Sequence, residues 1–194
     1  MTIAAVVLAA GLSRRMGAPK LVLPWGQSTV IRHVVNVLSE SGVAEILVVT
    51  GGAHAQVVAA LAGAPASLAF NAAYETGEML SSVQVGLRAL PGSVSAVLVC
   101  LGDQPQIQTE VVKAIIADFL ALGLPLVVPS FHRRRGHPWL VARSLWPDIL
   151  DLTSPATLRT FLNARSSQIH YLGVDAPSIL VDIDTPEDYA QQRS

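Results

Sequence analysis

The chain has 194 residues, of which 51% are hydrophobic and 14% charged, and its 13 basic and 14 acidic side chains leave a net charge of −1. This composition excludes an intrinsically disordered chain and predicts a single domain, residues 1–194, with a sizeable core. Because the net charge is close to zero, we expect neither nucleic acid nor a membrane surface as a partner.

The single cysteine, Cys100, lies in the apolar stretch Val97–Leu101 and cannot form a disulfide within the chain. We expect a buried thiol there rather than a nucleophile. Met1 and Thr2 lead into the first predicted strand without a basic start, and no apolar stretch is long and unbroken enough to span a bilayer. We therefore expect a cytoplasmic protein without a secretory leader.

The first predicted element is a strand from Ile3 to Leu8, which three small residues follow. Its continuous apolar sequence, rich in β-branched residues, indicates a strand buried on both faces. Ala9, Ala10 and Gly11 then allow a ligand to approach the backbone, whose N–H groups can bind phosphate oxygens.

Positive charge follows these small residues, at Arg14, Arg15 and Lys20. The combination suits a polyphosphate, because fixed cations stabilise the negative charge that develops during its reaction. Neither of two common phosphate motifs is present: Gly17 is followed by Ala18 rather than by lysine, and there is no G-x-G-x-x-G. An ordinary basic loop is the alternative, but we favour a phosphate-binding loop.

Up to residue 128, predicted strands alternate with predicted helices. The strands are Ile46–Thr50, Leu68–Phe70, Val97–Leu101 and Pro125–Val128, and the helices between them end near Gly42, Leu61, Pro91 and Gly123. This order predicts an α/β fold, a Rossmann-like three-layer arrangement with a mostly parallel sheet. The loops after Leu8, Phe70 and Leu101 should then meet at the carboxyl edge of the sheet, where ligands bind.

The last third has shorter predicted elements. A basic loop, His132–Pro138, precedes a strand at Trp139–Val141, helices at Ser144–Leu150 and Pro155–Ala164, and strands at Gln168–Leu172 and Ile179–Ile183. Thr185, Pro186 and Asp188 form a capping box with proline at the first helical position, which predicts a terminal helix.

The segment from Leu8 to Lys20 resembles the loop of nucleotidyltransferases that move a nucleoside monophosphate from a triphosphate to a phosphate acceptor. The resemblance covers nearly the whole chain and is closest to the MobA-like NTP transferases, in particular the molybdenum cofactor cytidylyltransferases. It implies a nucleotidyltransferase fold, with nucleotide-binding residues at Leu8, Ala9, Ala10, Gly11, Ser13 and Arg14 and catalytic residues at Arg15 and Lys20.

Asp103 follows a predicted buried strand, where a carboxylate can hold Mg²⁺ or Mn²⁺ against phosphate oxygens. An aspartate that shapes a turn before a proline is the alternative. Leu101–Pro105 resembles the MobA-like form of the segment whose aspartate carries the metal, so the resemblance implies a catalytic and metal-binding role for Asp103.

A second source of carboxylates is the segment Val181–Asp188, which resembles the closing segment of MobA-like enzymes. In a strand, Asp182 and Asp184 would lie on the same side. Helix capping is the alternative for Asp184. We take Asp182 as the second metal ligand, although the sequence does not decide between the two aspartates.

Asn71, Gly77, Ser81 and Ser82 match the nucleobase-binding region of this family. An amide and hydroxyl groups can bind the edge of a base. The alternative is a turn at Asn71 and a helix cap at Ser81 or Ser82, and both can hold together.

The basic loop contains Arg133, Arg134 and Arg135, and arginines in number suggest a phosphate-bearing acceptor. Its Gly-His-Pro sequence resembles a segment near the pterin in molybdopterin cytidylyltransferases. The implied acceptor-binding residues are Arg135, Gly136, His137 and Pro138, and a solvated basic loop is the alternative. His137 is not needed as a general base, because a phosphate acceptor is already ionised.

The function implied by the resemblance is transfer of CMP from CTP to molybdopterin, with release of pyrophosphate. Leu-Ala-Ala-Gly at residues 8–11 is similar to cytidylyl rather than guanylyl transferases, which tend to have Leu-Ala-Gly-Gly. Two alternatives stay open. One is a non-catalytic accessory protein that hands nucleotide or molybdenum cofactor to a molybdoenzyme, and the other is a sugar-1-phosphate nucleotidylyltransferase.

Overall fold

A mixed sheet of eight strands forms the centre of the computed structural model, which describes residues 1–76 and 78–193. The strands are β1 (Thr2–Ala9), β2 (Pro24–Trp25), β3 (Ser28–Thr29), β4 (Glu45–Thr50), β5 (Ser67–Phe70), β6 (Val94–Leu101), β7 (Leu126–Phe131), β8 (Arg134–Arg135), β9 (Trp139–Ala142) and β10 (Ile169–Gly173). The α-helices are α1 (Val30–Glu40), α2 (His54–Ala60), α3 (Glu78–Ala89), α4 (Thr109–Leu122), α5 (Trp146–Leu150), α6 (Leu158–Ala164) and α7 (Pro186–Gln192).

The strand order is β10-β7-β9-β6-β1-β4-β5, with β8 paired to β7 and with β2 and β3 forming a separate hairpin. β1 pairs in parallel with both β4 and β6, β4 with β5, and β7 with β10. Only β9 runs antiparallel within the main path, between β6 and β7 of the described chain. The predicted, mostly parallel α/β sheet is therefore confirmed.

Alternate residues of β1 belong to separate hydrophobic cores in the described chain. Ala5 and Val7 pack with residues of α1, α2 and α4, whereas Ala4 and Val6 pack with residues of α3, α5 and α6. All four side chains are fully buried, which explains why both faces of this strand are apolar. Because β1 lies in the middle of the sheet, its carboxyl end delivers the loop of small residues to the centre of one edge.

The predicted helix ends are mostly confirmed. The Thr29 side chain accepts a hydrogen bond from the Arg32 N–H at the start of α1, and Gly123 ends α4 with a φ of 62°. The capping box of Thr185 and Asp188 begins α7. None of the described helices has the length and apolar character needed to cross a membrane.

The predicted strand at 179–183 is wrong. Pro177–Leu180 is a 3-10 helix, and residues 181–185 belong to no helix or strand. The Ile183 N–H donates to the carbonyl of Asp103, so this segment is bonded to the loop after β6 instead of to a sheet ladder.

Gly86 offers a test of how tightly α3 packs on β1. A Cβ atom at Gly86 would lie 2.5 Å from Cγ1 of the fully buried Val6. We expect Gly86→Ala to lower the free energy of unfolding, because overpacking costs about 1–3 kcal/mol whereas alanine regains only about 1 kcal/mol as a helix former. Urea denaturation measures the difference.

Gly92→Ala is the matched control, since a Cβ at Gly92 would have no atom within 4 Å. Its free energy of unfolding should stay within about 0.5 kcal/mol of the parent value. Equal stability of the two variants would contradict close packing at Gly86.

Candidate active site

A pocket of about 540 Å³ opens at the carboxyl edge of the sheet. Its walls come from the loops after β1, β5 and β6, from the start of α3 and from the segment before α7. The strand order brings these loops together, because β1 lies between β4 and β6. The pocket wall contains many of the residues singled out in the sequence: Leu8, Ala10, Gly11, Ser13, Arg14, Arg15, Lys20, Asp103 and Asp182.

The three small residues that follow Leu8 differ in their burial and in whether they line the pocket. Ala9 is buried in the core and does not line the pocket. Ala10 lines the pocket, but it also packs closely on Gly51, whose Cβ would lie 2.8 Å from the Ala10 methyl group. Gly11 is exposed, and a Cβ there would meet no atom within 4 Å. The open space over Gly11 is where a ligand can approach the backbone.

The loop after Gly11 leaves backbone donors available. Within the described residues, the N–H groups of residues 11–15 form no hydrogen bond. Ser13 organises the loop, because its carbonyl accepts from the N–H groups of Met16 and Gly17 and its hydroxyl accepts from the Lys20 N–H at 3.3 Å. A run of unpaired N–H groups beside cationic side chains can bind phosphate oxygens.

Lys20 lies at the centre of a cluster of charged side chains. Its Nζ is 2.5 Å from Asp103 Oδ2 and 2.8 Å from Asp184 Oδ1. Arg15 Nη2 is 2.7 Å from Asp184 Oδ2, and this arginine is 71% exposed whereas the Lys20 side chain is 12% exposed. Burial alone would lower the pKa of Lys20, but Asp103 and Asp184 outweigh it and raise the pKa, so the ammonium stays charged.

Asp182 and Asp184 differ in how the protein balances their charge. Burial raises the pKa of Asp182, and the negative charge of Asp103 raises it further. Burial acts in the same direction on Asp184, but hydrogen bonds and charges from Lys20 and Arg15 reverse it and lower the pKa. The charge of Lys20 opposes the rise in the pKa of Asp182 only in part, and no described cation lies within ion-pair distance of the Asp182 carboxylate.

Two carboxylate oxygens in the pocket wall remain available, and their chemistry suits a divalent cation. Lys20 binds one oxygen of Asp103, Gln104 binds Oδ1 of Asp182 at 2.6 Å, and both oxygens of Asp184 are in ion pairs. Asp103 Oδ1 and Asp182 Oδ2 have no hydrogen bond within the described residues. Among the described residues, no group of three or more His, Cys, Asp or Glu side chains is arranged to hold a metal ion. Mg²⁺ is commonly held by one or two carboxylates together with waters and substrate phosphates.

Asn71, Ser81 and Ser82 form a hydrogen-bonded group that does not line the pocket. Asn71 is 1% exposed, and its Nδ2 donates to the hydroxyls of Ser81 at 2.8 Å and Ser82 at 3.0 Å. Its Oδ1 accepts from the Ala73 N–H, so the side chain also shapes the turn. Gly77 lies outside the described residues. Direct contact of this group with a base stays a prediction.

The pocket wall after β5 is formed by residues that carry no motif in the sequence: Tyr74, Glu75, Glu78 and Met79. The Tyr74 ring lies 6.0 Å from the ring of Phe70, and Met79 is exposed. An aromatic ring and a thioether provide apolar surface against which a base can pack. The sequence indicates a role for these residues in the pocket only through their position after a predicted strand.

The basic loop lies at the same edge of the sheet but does not line the described pocket. Arg135 donates to the Tyr171 hydroxyl at 3.0 Å and to Asn163 Oδ1 at 2.8 Å. Gly136 packs closely on the chain, since a Cβ there would lie 2.5 Å from the Ile179 carbonyl oxygen, and Pro138 is buried. Acceptor binding by this loop stays a prediction.

His137 uses both ring nitrogens within the protein. Nδ1 is 3.4 Å from the Val99 carbonyl, and Nε2 is 3.3 Å from the indole N–H of Trp139. These partners require the neutral ring with its proton on Nδ1. Burial lowers the pKa of His137 to about 4, which keeps the ring neutral near pH 7. The ring has no free lone pair for proton abstraction, so it serves the packing of the loop.

The chain is similar in sequence to known proteins. Residues 5–169 match the MobA-like NTP transferase domain. A nicotine blue oxidoreductase of Paenarthrobacter nicotinovorans is 30% identical over 94% of this chain and 92% of its own length. The molybdenum cofactor cytidylyltransferase of Escherichia coli strain K12 is 26% identical over 95% of this chain and 92% of its own.

Solved structures show the same fold. The crystal structure of Rv0371c from Mycobacterium tuberculosis H37Rv superposes with a TM-score of 0.86 and 26% identity, over 100% of this chain and 98% of the other. A structure of Rv0371c in complex with manganese superposes with a TM-score of 0.78 and 25% identity, over 98% and 97% of the two chains.

Stability between pH 7 and pH 5 tests the structural role of His137. Its folded pKa of about 4 lies below the ordinary value of 6.5, so the unfolded chain binds more protons in this window and the fold loses stability as the pH falls. We expect the advantage of the parent over His137→Gln to fall by about 2 kcal/mol between pH 7 and pH 5, measured by urea unfolding.

His132→Gln is the control, because His132 is exposed in the same loop. Its free energy of unfolding should follow the parent curve across this window. A His137→Gln curve parallel to that of the parent would show that His137 is not held neutral.

Proposed function

Because the chain belongs to the family of MobA-like NTP transferase domains, we propose that it transfers the nucleoside monophosphate of a triphosphate to a phosphate-bearing acceptor and releases pyrophosphate. The observation that carries this proposal is the charged cluster in the pocket. Lys20 holds Asp103 and Asp184 together, beside a loop whose backbone N–H groups are unpaired within the described chain.

In the proposed reaction, an oxygen of the acceptor phosphate attacks the α-phosphorus, and the bond from that phosphorus to the pyrophosphate oxygen breaks. The loop N–H groups and the exposed Arg14 and Arg15 would bind the triphosphate. Lys20 donates two of its three ammonium hydrogens to carboxylates and would donate the third to a phosphate oxygen. These donors stabilise the charge that builds up on the leaving pyrophosphate, by position and electrostatics alone.

Asp103 and Asp182 would hold Mg²⁺ or Mn²⁺, which would neutralise charge on the triphosphate. Three observations support this assignment. Each carboxylate has an oxygen without a partner in the described residues, Asp182 forms no ion pair with a described cation, and the homologous Rv0371c has a structure with manganese.

We further propose CTP as the donor and molybdopterin as the acceptor. The support is the name of the E. coli relative and the Leu-Ala-Ala-Gly sequence that begins the loop. Tyr74 and Met79 supply the apolar wall on which the base would pack.

The relative named nicotine blue oxidoreductase supports a second candidate, a redox reaction in the same pocket. The three carboxylates favour the transferase, because crowded negative charge beside a phosphate site needs a divalent cation to balance it. The two candidates differ in product: pyrophosphate in one case, and an oxidised electron carrier in the other.

The test measures both products, pyrophosphate and the oxidised electron carrier, with the full chain. CTP or GTP is supplied with molybdopterin and with Mg²⁺, Mn²⁺ or a chelator, and pyrophosphate is measured. We expect metal-dependent pyrophosphate release that is faster with CTP. Asp103→Asn should abolish it, and Lys20→Met should lower kcat by about 10²–10³-fold, because one donor to the reacting phosphate is lost.

Asp175→Asn, an exposed change outside the pocket, serves as the control and should leave turnover unchanged. A parallel assay follows oxidation of reduced nicotinamide dinucleotides in the presence of a dye. Dye reduction without pyrophosphate would favour the redox candidate. Nucleotide binding without either product would favour the accessory protein.

Gly11→Ala separates ligand approach from folding. The new methyl group would meet no protein atom within 4 Å, so the free energy of unfolding should change by less than about 0.5 kcal/mol. A methyl group in the path of the phosphates costs about 1–3 kcal/mol, so the Kd for CTP with Mg²⁺ should rise by about 5- to 150-fold, measured by calorimetry.

Gly92→Ala has the same open surroundings but lies outside the pocket, and its Kd should match that of the parent. Unchanged affinity in Gly11→Ala would show that the phosphates do not pass over Gly11.

A further inference from the structure

Gln104 is a buried polar side chain to which the sequence motifs assign no role. It follows Asp103 on the loop after β6, and it is 3% exposed. Its Nε2 donates to Asp182 Oδ1 at 2.6 Å, across 78 residues of sequence. A buried amide at this distance fixes one oxygen of a carboxylate and leaves the second available.

Asp182 depends on this contact because little else holds its side chain. The segment around it belongs to no helix or strand. The Ile183 N–H to Asp103 carbonyl bond, at 3.0 Å, fixes the backbone, but the Gln104 amide is the only hydrogen-bond partner of the Asp182 carboxylate in the described residues. No described cation lies within ion-pair distance of it.

Without that partner, the carboxylate would turn away from its neighbours. Asp103 is a second carboxylate on the wall of the same pocket, and neighbouring carboxylates repel each other. Rotation into solvent would relieve the repulsion, because Asp182 is an exposed residue.

We infer that Gln104 is a positioning residue, whose amide holds Asp182 beside Asp103 so that the pair can bind a divalent cation. This inference rests on the proposed function. Gln104 lies next to the ligands without being one: its Nε2 binds Oδ1 of Asp182, and Oδ2 stays available for the ion. Residues that orient metal-binding side chains in this way typically change metal affinity about 10–100-fold when they are replaced.

Gln104→Met removes the amide and keeps the length and the burial of the side chain. The chain offers a matched control at Gln106, on the same loop, whose amide atoms are buried without a hydrogen-bond partner in the described residues. Gln106→Met therefore removes the same chemical group without touching Asp182. Gln104→Leu repeats the test if the methionine variant does not fold, as judged by circular dichroism and thermal melting.

The probe is Mn²⁺ alone, and the free ion is quantified by electron paramagnetic resonance with the full chain and without nucleotide. We expect Gln104→Met to raise the Kd for Mn²⁺ about tenfold and Gln106→Met to leave it unchanged. In turnover assays, Gln104→Met should need about tenfold more metal for half-maximal rate, while kcat at saturating metal stays within about twofold.

The outcomes separate this inference from the function on which it rests. A Kd for Gln104→Met that equals the parent value would overturn the positioning role, and so would equal losses in Gln104→Met and Gln106→Met. Mn²⁺ binding that survives in Asp103→Asn would overturn the metal assignment itself. Pyrophosphate release by the parent chain tests the proposed reaction independently of these measurements of Mn²⁺ binding.

Discussion

Three carboxylates, those of Asp103, Asp182 and Asp184, line one pocket, and the contacts of Lys20 allow two of them to fold side by side. The lysine lies at the end of the loop after β1, whereas its partners lie after β6 and before α7. One ammonium group thus joins three distant parts of the sequence at the carboxyl edge of the sheet. Partly buried carboxylates need such a partner, because an uncompensated charge out of water is strongly unfavourable.

The end of the described chain helps to hold this cluster in place. Asp184 immediately precedes the capping box of Thr185 and Asp188, so the start of α7 fixes its backbone. From the middle of that helix, the Tyr189 hydroxyl donates to the Pro24 carbonyl in the hairpin that follows Lys20. The segment after β1 and the terminal helix therefore support each other, and α7 contributes to the geometry of the pocket.

Much of this arrangement follows from local rules in the sequence. The apolar sequence of β1, the small residues after it and the capping box at Thr185 each predict their own structure, because short-range sterics and hydrogen bonding decide them. The alternation of strands and helices then predicts that the loop after β1 and Asp103 meet.

The long-range contacts could not be predicted. The segment Ile179–Ile183 has the apolar sequence of a strand, yet its first two residues belong to a 3-10 helix and the Ile183 N–H bonds to the Asp103 carbonyl instead of to a sheet ladder. The pairing of Gln104 with Asp182, and the closed hydrogen bonds of His137, depend on residues far apart in sequence. No local pattern encodes which side chain will find such a partner.

Transfer of the nucleoside monophosphate is the central claim, and its most direct measurement is the fate of the label in [α-³²P]CTP. The full chain is incubated with molybdopterin and Mg²⁺, and the products are separated and identified by mass. We expect the label to move to the pterin in an amount equal to the pyrophosphate formed, and to stay in CTP when the metal is chelated. Label that remains in CTP, or that appears only as free CMP, would contradict nucleotidyl transfer by this pocket.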